Sequence, residues 1–316
     1  MHGYEDMAAP PRIAVVGSTG QVAQALRLRA SIRQVPLELG GRPDVDITEP
    51  ASIDAFLEAQ SPDVVVNAAA YTAVDRAESE PAAAFAVNAI GSGNIAAACA
   101  AHRLPLIHIS TDYVFDGRAR RPYAESDTVA PLGVYGRSKA EGEALVRAAT
   151  ARHVILRTSW VYGARGNNFL RTMLRLATER DEVRVVADQT GSPTLADDLA
   201  DAILVVASKL AALPEADTIF GTYHLTGSGV TTWHGLASEI FAQAARLGMR
   251  TPRLTAITTA DYPTPARRPA WSVLDNALIR SRLGITLSDW RDGVARAVAE
   301  IARTTTQSDQ RQGAAS

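Results

Sequence analysis

The sequence predicts an α/β fold: a doubly wound parallel sheet with helices on both faces, followed by a smaller C-terminal α/β domain. Three observations carry this. Short apolar runs alternate with helical stretches through the first half of the 316-residue chain. One run, "DVVVNAAA", is unbroken and β-branched, as a parallel strand covered on both faces should be. A glycine turn, "VVGSTGQVAQAL", lies between the first apolar run and the first helical stretch.

Taken in order, "RIAVVG" reads as a buried strand, "QVAQALRLRA" as a helix and "VPLELG" as a second strand. "DITEPASIDAFLEAQ" is a helix with Thr48 as N-cap and Pro50 near its start. After the "DVVVNAAA" strand comes a long helical stretch, with Pro81 near its beginning, that runs through Cys99. "PLIHIS" is a strand, "PLGVYGRSKAEGEALVRAATA" a helix and "HVILRTSWVY" the next strand. Crossovers between such strands are right-handed.

Beyond Tyr162 the rhythm loosens. "GNNFLRTMLRLATE" is amphipathic, "EVRVVAD" a strand, and "TLADDLADAILVVASKL" a helix. "GTYHLTG" and "RLTAITTADY" read as short strands, and "YPTPARRP" as a proline-rich loop. The expected organisation is a flexible extension over 1–12, the sheet domain over 13–162, and a second domain over 163–303 with some segments returning to the sheet. A polar, disordered tail follows over 304–316.

Composition excludes several classes of function. A formal net charge of -2 leaves no basic stripe for nucleic acid. The single cysteine, Cys99, rules out an internal disulfide and reads as a buried helical thiol. No apolar run is long enough to span a bilayer, and the start "MHGYEDMAAPPR" is too polar for a signal peptide, so the cytoplasm is the expected compartment.

In the glycine turn, Gly17 permits the tight bend, Gly20 lets backbone approach a pyrophosphate, and Ala23 allows close helix–strand packing. This predicts a Rossmann-like NAD(P) site. An acid at the tip of the second strand would bind the adenosine 2'-hydroxyl, whereas an arginine accommodates the NADP phosphate. Here the tip is Gly40–Gly41 and Arg42 follows. The expectation is tolerance of or preference for NADPH, with a solvated loop arginine as the competing reading.

"VYGRSK" places Tyr135 and Lys139 four apart on one helical face. A free tyrosine, with a pKa of roughly 10, is a poor acid near neutrality. A nearby lysine cation would lower that value and let the phenol protonate a carbonyl oxygen as a nicotinamide delivers hydride. Tyr113 of "STDYVFDG" has Gly117 four residues on, so it lacks such a partner. With Val114 and Phe115 it is expected to pack the turn that holds Thr111.

These motifs, in this order, resemble the extended short-chain dehydrogenase/reductases, and within them the dTDP-4-dehydrorhamnose reductase family. Matches run through "GSTGQV", "VNAAAYTAVDRAESEP", "ISTDYVFDG", "APLGVYGRSKAEGE", "RTSWVYG", "GNNFLRTMLRLA", "DQTGSPT" and "YPTPARRP", nearly the whole chain. The resemblance implies reduction of the C4 keto group of dTDP-4-dehydro-L-rhamnose by NADPH or NADH, the last step of dTDP-L-rhamnose synthesis. It implies Tyr135 as general acid, Lys139 as holder of the nicotinamide ribose and Thr111 as a hydrogen-bond partner of the substrate oxygen. Gly20, Gln21 and Val22 would touch the cofactor phosphates, Asp46 and Ile47 would lie by the adenine, and Ala70, Tyr71 and Thr72 would line the cofactor cleft. Thr111, Asp112 and Trp160 would meet the sugar nucleotide. Arg267 and Arg268 are candidates to pair with its diphosphate, a surface salt bridge being the plainer reading.

Members with a dimer-bridging magnesium draw acids from three places. Here Ala25 stands at the first, with Asp197 and Glu300 at the others, so no metal is expected and a homodimer stays open. Two other readings remain. One is an epimerase or dehydratase of the same superfamily, which recycles bound NAD. The other is a non-catalytic cofactor-binding module like the regulatory subunit of methionine adenosyltransferase.

Overall fold

The computed structural model describes residues 9–212 and 219–313. Its first half holds β1 (Ile13–Val16), α1 (Gln21–Arg33), β2 (Leu37–Gly40), α2 (Pro50–Gln60), β3 (Val64–Asn67), α3 (Val74–Ala77) and α4 (Pro81–Phe85). A π turn (Ala86–Gly91), α5 (Ser92–Ala101), β4 (Leu106–Thr111), a 3-10 turn (Asp112–Val114), α6 (Val134–Ala149) and β5 (His153–Thr158) follow. The second half holds β6 (Val161–Tyr162), α7 (Phe169–Glu179), β7 (Glu182–Val186), β8 (Thr190–Gly191), β9 (Thr194–Leu195), α8 (Ala196–Ala212) and β10 (Gly221–His224). It ends with β11 (Thr231–Thr232), α9 (Trp233–Arg246), β12 (Arg253–Ile257), α10 (Ala277–Leu283) and α11 (Trp290–Gly313).

Six strands form one parallel sheet in the order β10-β5-β4-β3-β1-β2. Val64, Val65 and Val66 are fully buried in its middle, which explains the unbroken apolar run. One face is covered by α1 and α8 through Leu26, Leu199 and Ile203; the other by α2 and α5 through Ile53, Leu57 and Ile95. Strand order reverses between β1 and β3, so a crevice opens at their C-terminal ends, where sheets of this type bind ligands. β10 and α8 come from the second half yet complete this sheet layer.

The other lobe packs α7, α9 and α11 around the parallel pair β7–β12, with a core that includes Leu170, Leu236, Ile240 and Val294. Antiparallel β8–β11 and parallel β6–β9 complete it. Side chains start its helices: Asn168 accepts from Arg171 N at α7, and Thr232 accepts from Gly235 N at 3.0 Å at α9.

Several expectations need correction. Thr48 does not cap α2, whose N-cap is Glu49; its N–H and hydroxyl both donate to Asp46, an Asx-type turn that competes with capping. The run "HVILRTSWVY" is two strands, broken where Trp160 takes φ +47°. The stretch over 304–313 is helical, because α11 continues to Gly313; no proline or glycine interrupts it between Gly293 and that end, and a polar sequence does not prevent a helix. Residues 1–8 and 314–316, where the flexible ends were also expected, lie outside the described residues. Finally, Pro81–Ala101 is one helical stretch of 21 residues that by length and composition could cross a membrane. Half of it is buried inside this fold, with Asn88 and Ser92 hydrogen-bonded to other elements, so its apolar character serves the core. Cys99, on this stretch, is buried and burial pushes its thiol pKa up, as befits an inert core thiol.

Candidate active site

The glycine turn closes the β1 end of the crevice. Gly17 takes φ +105°, and a Cβ there would lie 2.6 Å from the Ala69 backbone nitrogen, so no other residue fits. Gly20 is the N-cap of α1, and nothing lies within 4 Å of where its Cβ would be. That open approach, at a helix end whose N–H groups face outward, is what a pyrophosphate needs. Gln21 donates from Nε2 to Val161 O at 2.9 Å, while its buried Oε1 is left without a partner. Val22 packs against the core on the α1 side, and Ala23 is buried.

The tip of β2 lies close by. A Cβ on Gly41 would be 2.3 Å from Ser18 Oγ, so the tip and the phosphate turn touch. Arg42 is largely exposed and pairs with Asp46 at 3.0 Å. Asp46 also accepts from Thr48 N and Thr48 Oγ1, and these bonds hold its carboxyl below the usual carboxylate range. Ile47 is buried, and its carbonyl accepts from Asn94 Nδ2 at 2.9 Å.

The loop after β3, with Ala70, Tyr71 and Thr72, is clamped by Asn88. Asn88 Oδ1 accepts from Tyr71 N at 2.8 Å, and Nδ2 donates to Tyr71 O and to Ser138 Oγ at 3.1 and 3.0 Å. Asn88 sits in the π turn, which turns this polar side chain inward from an otherwise apolar helix. One asparagine thus ties the crevice loop to α6, a role the sequence reading missed. The signal was there: an isolated amide in "AAAFAVNAIG".

On α6, Tyr135 and Lys139 share a face as expected. The helix starts where Glu78 Oε1 accepts from Val134 N at 2.8 Å, and Gly136 lets it approach the 3-10 turn, since a Cβ there would be 2.2 Å from Tyr113 O. Thr111 ends β4; its Oγ1 donates to Asp112 Oδ1 at 3.0 Å and accepts from Tyr113 N at 3.2 Å. Burial pushes Tyr135 up to about 12, the Thr111 hydroxyl bond pulls it down, and Asp112 adds to the rise. Burial lowers Lys139 to about 8, against the opposing pull of Glu143. Its Nζ donates to Ile109 O at 2.7 Å. The expected lowering of Tyr135 by Lys139 is not what acts on it here; burial dominates, and Tyr135 is a held proton donor. Asp112 is buried, with Oδ2 unpartnered, and burial pushes it up to about 6. Tyr113 lies edge-on to Tyr135 at 5.5 Å, while Val114 and Phe115 are buried, the packing role expected for this turn.

Beside this set, a cleft of about 720 Å³ in the second lobe is lined by Phe169, Met173, Val185, Gln189, Trp233 and Arg268 among others. Trp160 stacks on Trp233 at 3.7 Å with ring planes 8° apart, and Phe169 leans on the same ring at 4.7 Å. Trp160 thus backs the cleft, and Trp233, absent from the sequence reading, faces it. Arg268 pairs with Asp75 at 2.9 Å and bonds Thr264; burial opposes its charge, but Asp75 and Tyr113 hold it raised. Arg267 is exposed and lies outside the cleft lining. Arg165 bridges Asp197, at 2.9 Å, and Glu300, while Ala25 is buried in the core. Among the described residues no group of three acids, histidines or cysteines could hold a metal.

A glycine turn at the switch point of a parallel sheet, facing a strand-end threonine and a Tyr-x-x-x-Lys helix, places the molecule among the extended short-chain dehydrogenase/reductases. The sequence profile of the RmlD substrate binding domain family matches residues 11–303. A Sinorhizobium fredii protein named dTDP-4-dehydrorhamnose reductase is 45% identical over 287 residues, 91% of this chain and 96% of its own length. The crystal structure of a Clostridium acetobutylicum dTDP-4-dehydrorhamnose reductase superposes with a TM-score of 0.84 at 36% identity, over 92% of this chain and 99% of that one. That of the Bacillus anthracis enzyme, in complex with NADP, gives 0.85 at 33% identity, over 92% and 100%. The chain belongs to the dTDP-4-dehydrorhamnose reductase family.

Proposed function

We propose that the protein reduces the C4 keto group of dTDP-4-dehydro-L-rhamnose to give dTDP-L-rhamnose, with NADPH or NADH as the reductant. The observation that carries this reading is the close packing of the Thr111 turn at the end of β4 against the start of α6, which carries Tyr135 and Lys139, with the aromatic cleft alongside. The open face of Gly20 suits a dinucleotide whose diphosphate rests on the start of α1, and the orphaned Gln21 Oε1 is an acceptor for a hydroxyl of the same ligand rather than for its phosphates. When bound, the nicotinamide supplies the hydride to C4.

The chain's own residues do the rest. Thr111 orients the C4 oxygen, and Tyr135, kept protonated by its burial, gives that oxygen its proton. Lys139 would hold the ribose, on a helix fixed to the crevice loop through Ser138 and Asn88. Trp233 and Phe169 offer flat apolar surface to a base, and Arg268 offers charge to the diphosphate. Arg42 and Asp46 lie where the adenosine end would reach.

The test is NADPH and NADH consumption with dTDP-4-dehydro-L-rhamnose against its UDP analogue. Stoichiometric oxidation with the dTDP sugar supports the reading. Turnover of a sugar nucleotide without net oxidation would instead support an epimerase or dehydratase.

A further inference from the structure

His108 lies on β4 three residues before Thr111, fully buried, and none of the roles above uses it. Its Nδ1 is 3.1 Å from Asn67 Nδ2, and its Nε2 is 3.5 Å from Lys139 Nζ. The Asn67 amide has one orientation. Its Oδ1 accepts from Ala69 N at 3.1 Å, and its Nδ2 also donates to Ser92 Oγ at 3.3 Å. Turned over, it would set an NH2 group against the Ala69 N–H. His108 Nδ1 must therefore accept, and a neutral imidazole then carries its proton on Nε2, toward Lys139. An N–H facing an amine suits the lone pair of NH2 and opposes NH3+. The other partner of Lys139, Ile109 O at 2.7 Å, accepts from either form.

We propose that Asn67 and His108 form a tautomer lock behind Lys139, holding the imidazole as its Nε2–H form and so favouring release of the lysine proton near neutral pH. His108 is a positioning residue that acts through Lys139, and the inference rests on the reading of Lys139 as part of the reductase site. Its value to that site is proton supply. Each reduction transfers one proton from the Tyr135 hydroxyl to the C4 oxygen and leaves a phenolate. The proton released by a Lys139 ammonium restores the hydroxyl, and the neutral amine regains a proton from solvent. An ordinary lysine, with a pKa near about 10.4, would hold its proton too tightly for this.

The surroundings agree. Burial keeps His108 neutral by lowering its pKa well below the usual value, reinforced by Lys139, His153 and Arg147. Glu143, on α6, pulls the other way on Lys139, but it is engaged by Arg157 at 2.7 Å, Arg147 at 3.2 Å and Ser110 at 2.6 Å. Tyr135 on α6 is the remaining titratable group one turn away.

The sequence makes the test unusually direct, for the whole chain has two lysines, Lys139 and the exposed Lys209. Full-length protein labelled with 13Cε-lysine and 15N-histidine gives two lysine signals, assigned with Lys209→Arg. At pH 7 the His108 nitrogen shifts should report a neutral Nε2–H ring; an Nδ1–H ring or an imidazolium overturns the proposal on the unmutated protein. In Asn67→Asp the new carboxylate should draw the proton to Nδ1, leave an Nε2 lone pair for the ammonium, and raise the Lys139 midpoint by about one pH unit, tenfold in proton affinity. An unmoved midpoint overturns the lock. So does an equal rise when Asn67→Asp is added to His108→Leu, because the carboxylate charge would then suffice without the ring. None of these spectra depends on turnover, so they decide the lock even if the C4 reduction assay fails, and a failed lock leaves that assay's result standing.

Discussion

The sheet domain and the second lobe are built by different means, and the contrast separates the chemistry from the recognition. Under the crevice, buried polar groups satisfy one another: Asn67, Ser92, His108 and Lys139 form one chain, Tyr71, Asn88 and Ser138 another. Glycines there fit because backbone lies within 3 Å of a missing Cβ, at Gly17, Gly136 and Gly142. Such a site holds its atoms at fixed positions, which proton and hydride transfer require. The second lobe presents aromatic faces and a few polar side chains around an open cleft, held to the sheet domain by the Arg268–Asp75 pair. That suits recognition of a large ligand by stacking and charge. Variants in the first region should therefore change kcat or stability, and those in the second should change KM.

Tyr135→Phe tests the first half most severely. It removes the donor without removing the ring that packs on Tyr113. kcat should fall by roughly 10²–10⁴, about 3–5 kcal/mol of barrier, with KM within a few-fold of wild type. Near-wild-type turnover would reject Tyr135 as the acid. Next comes Arg157→Met, which leaves the fully buried Glu143 carboxylate without its main partner at 2.7 Å. Burial opposes that charge, yet Arg157, Ser110 and Arg147 hold its pKa below the usual value. Loss of the arginine should cost about 3–5 kcal/mol in urea unfolding, and a Glu143→Gln companion should recover part of it. No recovery would mean that Arg157 matters for packing rather than for charge.

Asp112 sharpens the contrast through pH. Its pKa is raised from 3.8 to about 6 in the fold, so the native state holds a proton that the unfolded chain has lost. Stability should therefore fall as pH climbs from 4 through 6 and level off above, by about 3 kcal/mol over the window. Asp112→Asn should flatten that part of the profile and gain on wild type as pH rises. Parallel stability curves for the two proteins between pH 4 and 7 would show that the carboxyl is not held neutral.

How far the sequence could be read follows the same division. The parallel strands were legible because full burial writes an unbroken apolar run, and Tyr135 with Lys139 because helical spacing is local. Asn88 and His108 were not, since their meaning lies in partners 17 to 50 and 31 to 41 positions away. In the second lobe, strands of two residues leave no period to detect, and Trp233 reads as an ordinary start of an amphipathic helix until Trp160 is found stacked on it. Trp160, expected at the sugar nucleotide from the family resemblance, has φ +47° and stacks on Trp233, which itself lines the cleft. Trp233→Leu tests the recognition side: KM for the sugar nucleotide should rise about tenfold with kcat changed less than threefold, in keeping with about 1–3 kcal/mol for base stacking. A loss confined to kcat would place the ring in the chemistry instead and break the division.

The smallest expected effect lies at the far end of the crevice. Arg42 follows the Gly40–Gly41 tip, exposed and paired with Asp46, whose carboxylate is already satisfied by Thr48. An exposed pair of this kind contributes little to stability, so Arg42→Ala should leave the unfolding midpoint unchanged. Asp46 can release the guanidinium at small cost because Thr48 N and Oγ1 keep its oxygen bonded. That leaves Arg42 free to meet a 2'-phosphate, which NADPH carries and NADH lacks. Arg42→Ala should then lower kcat/KM for NADPH by about three- to tenfold, with NADH unaffected. An unchanged ratio of the two would return Arg42 to the plain role of a solvated loop residue, and the absence of an acid at Gly40 would alone account for any tolerance of the phosphate.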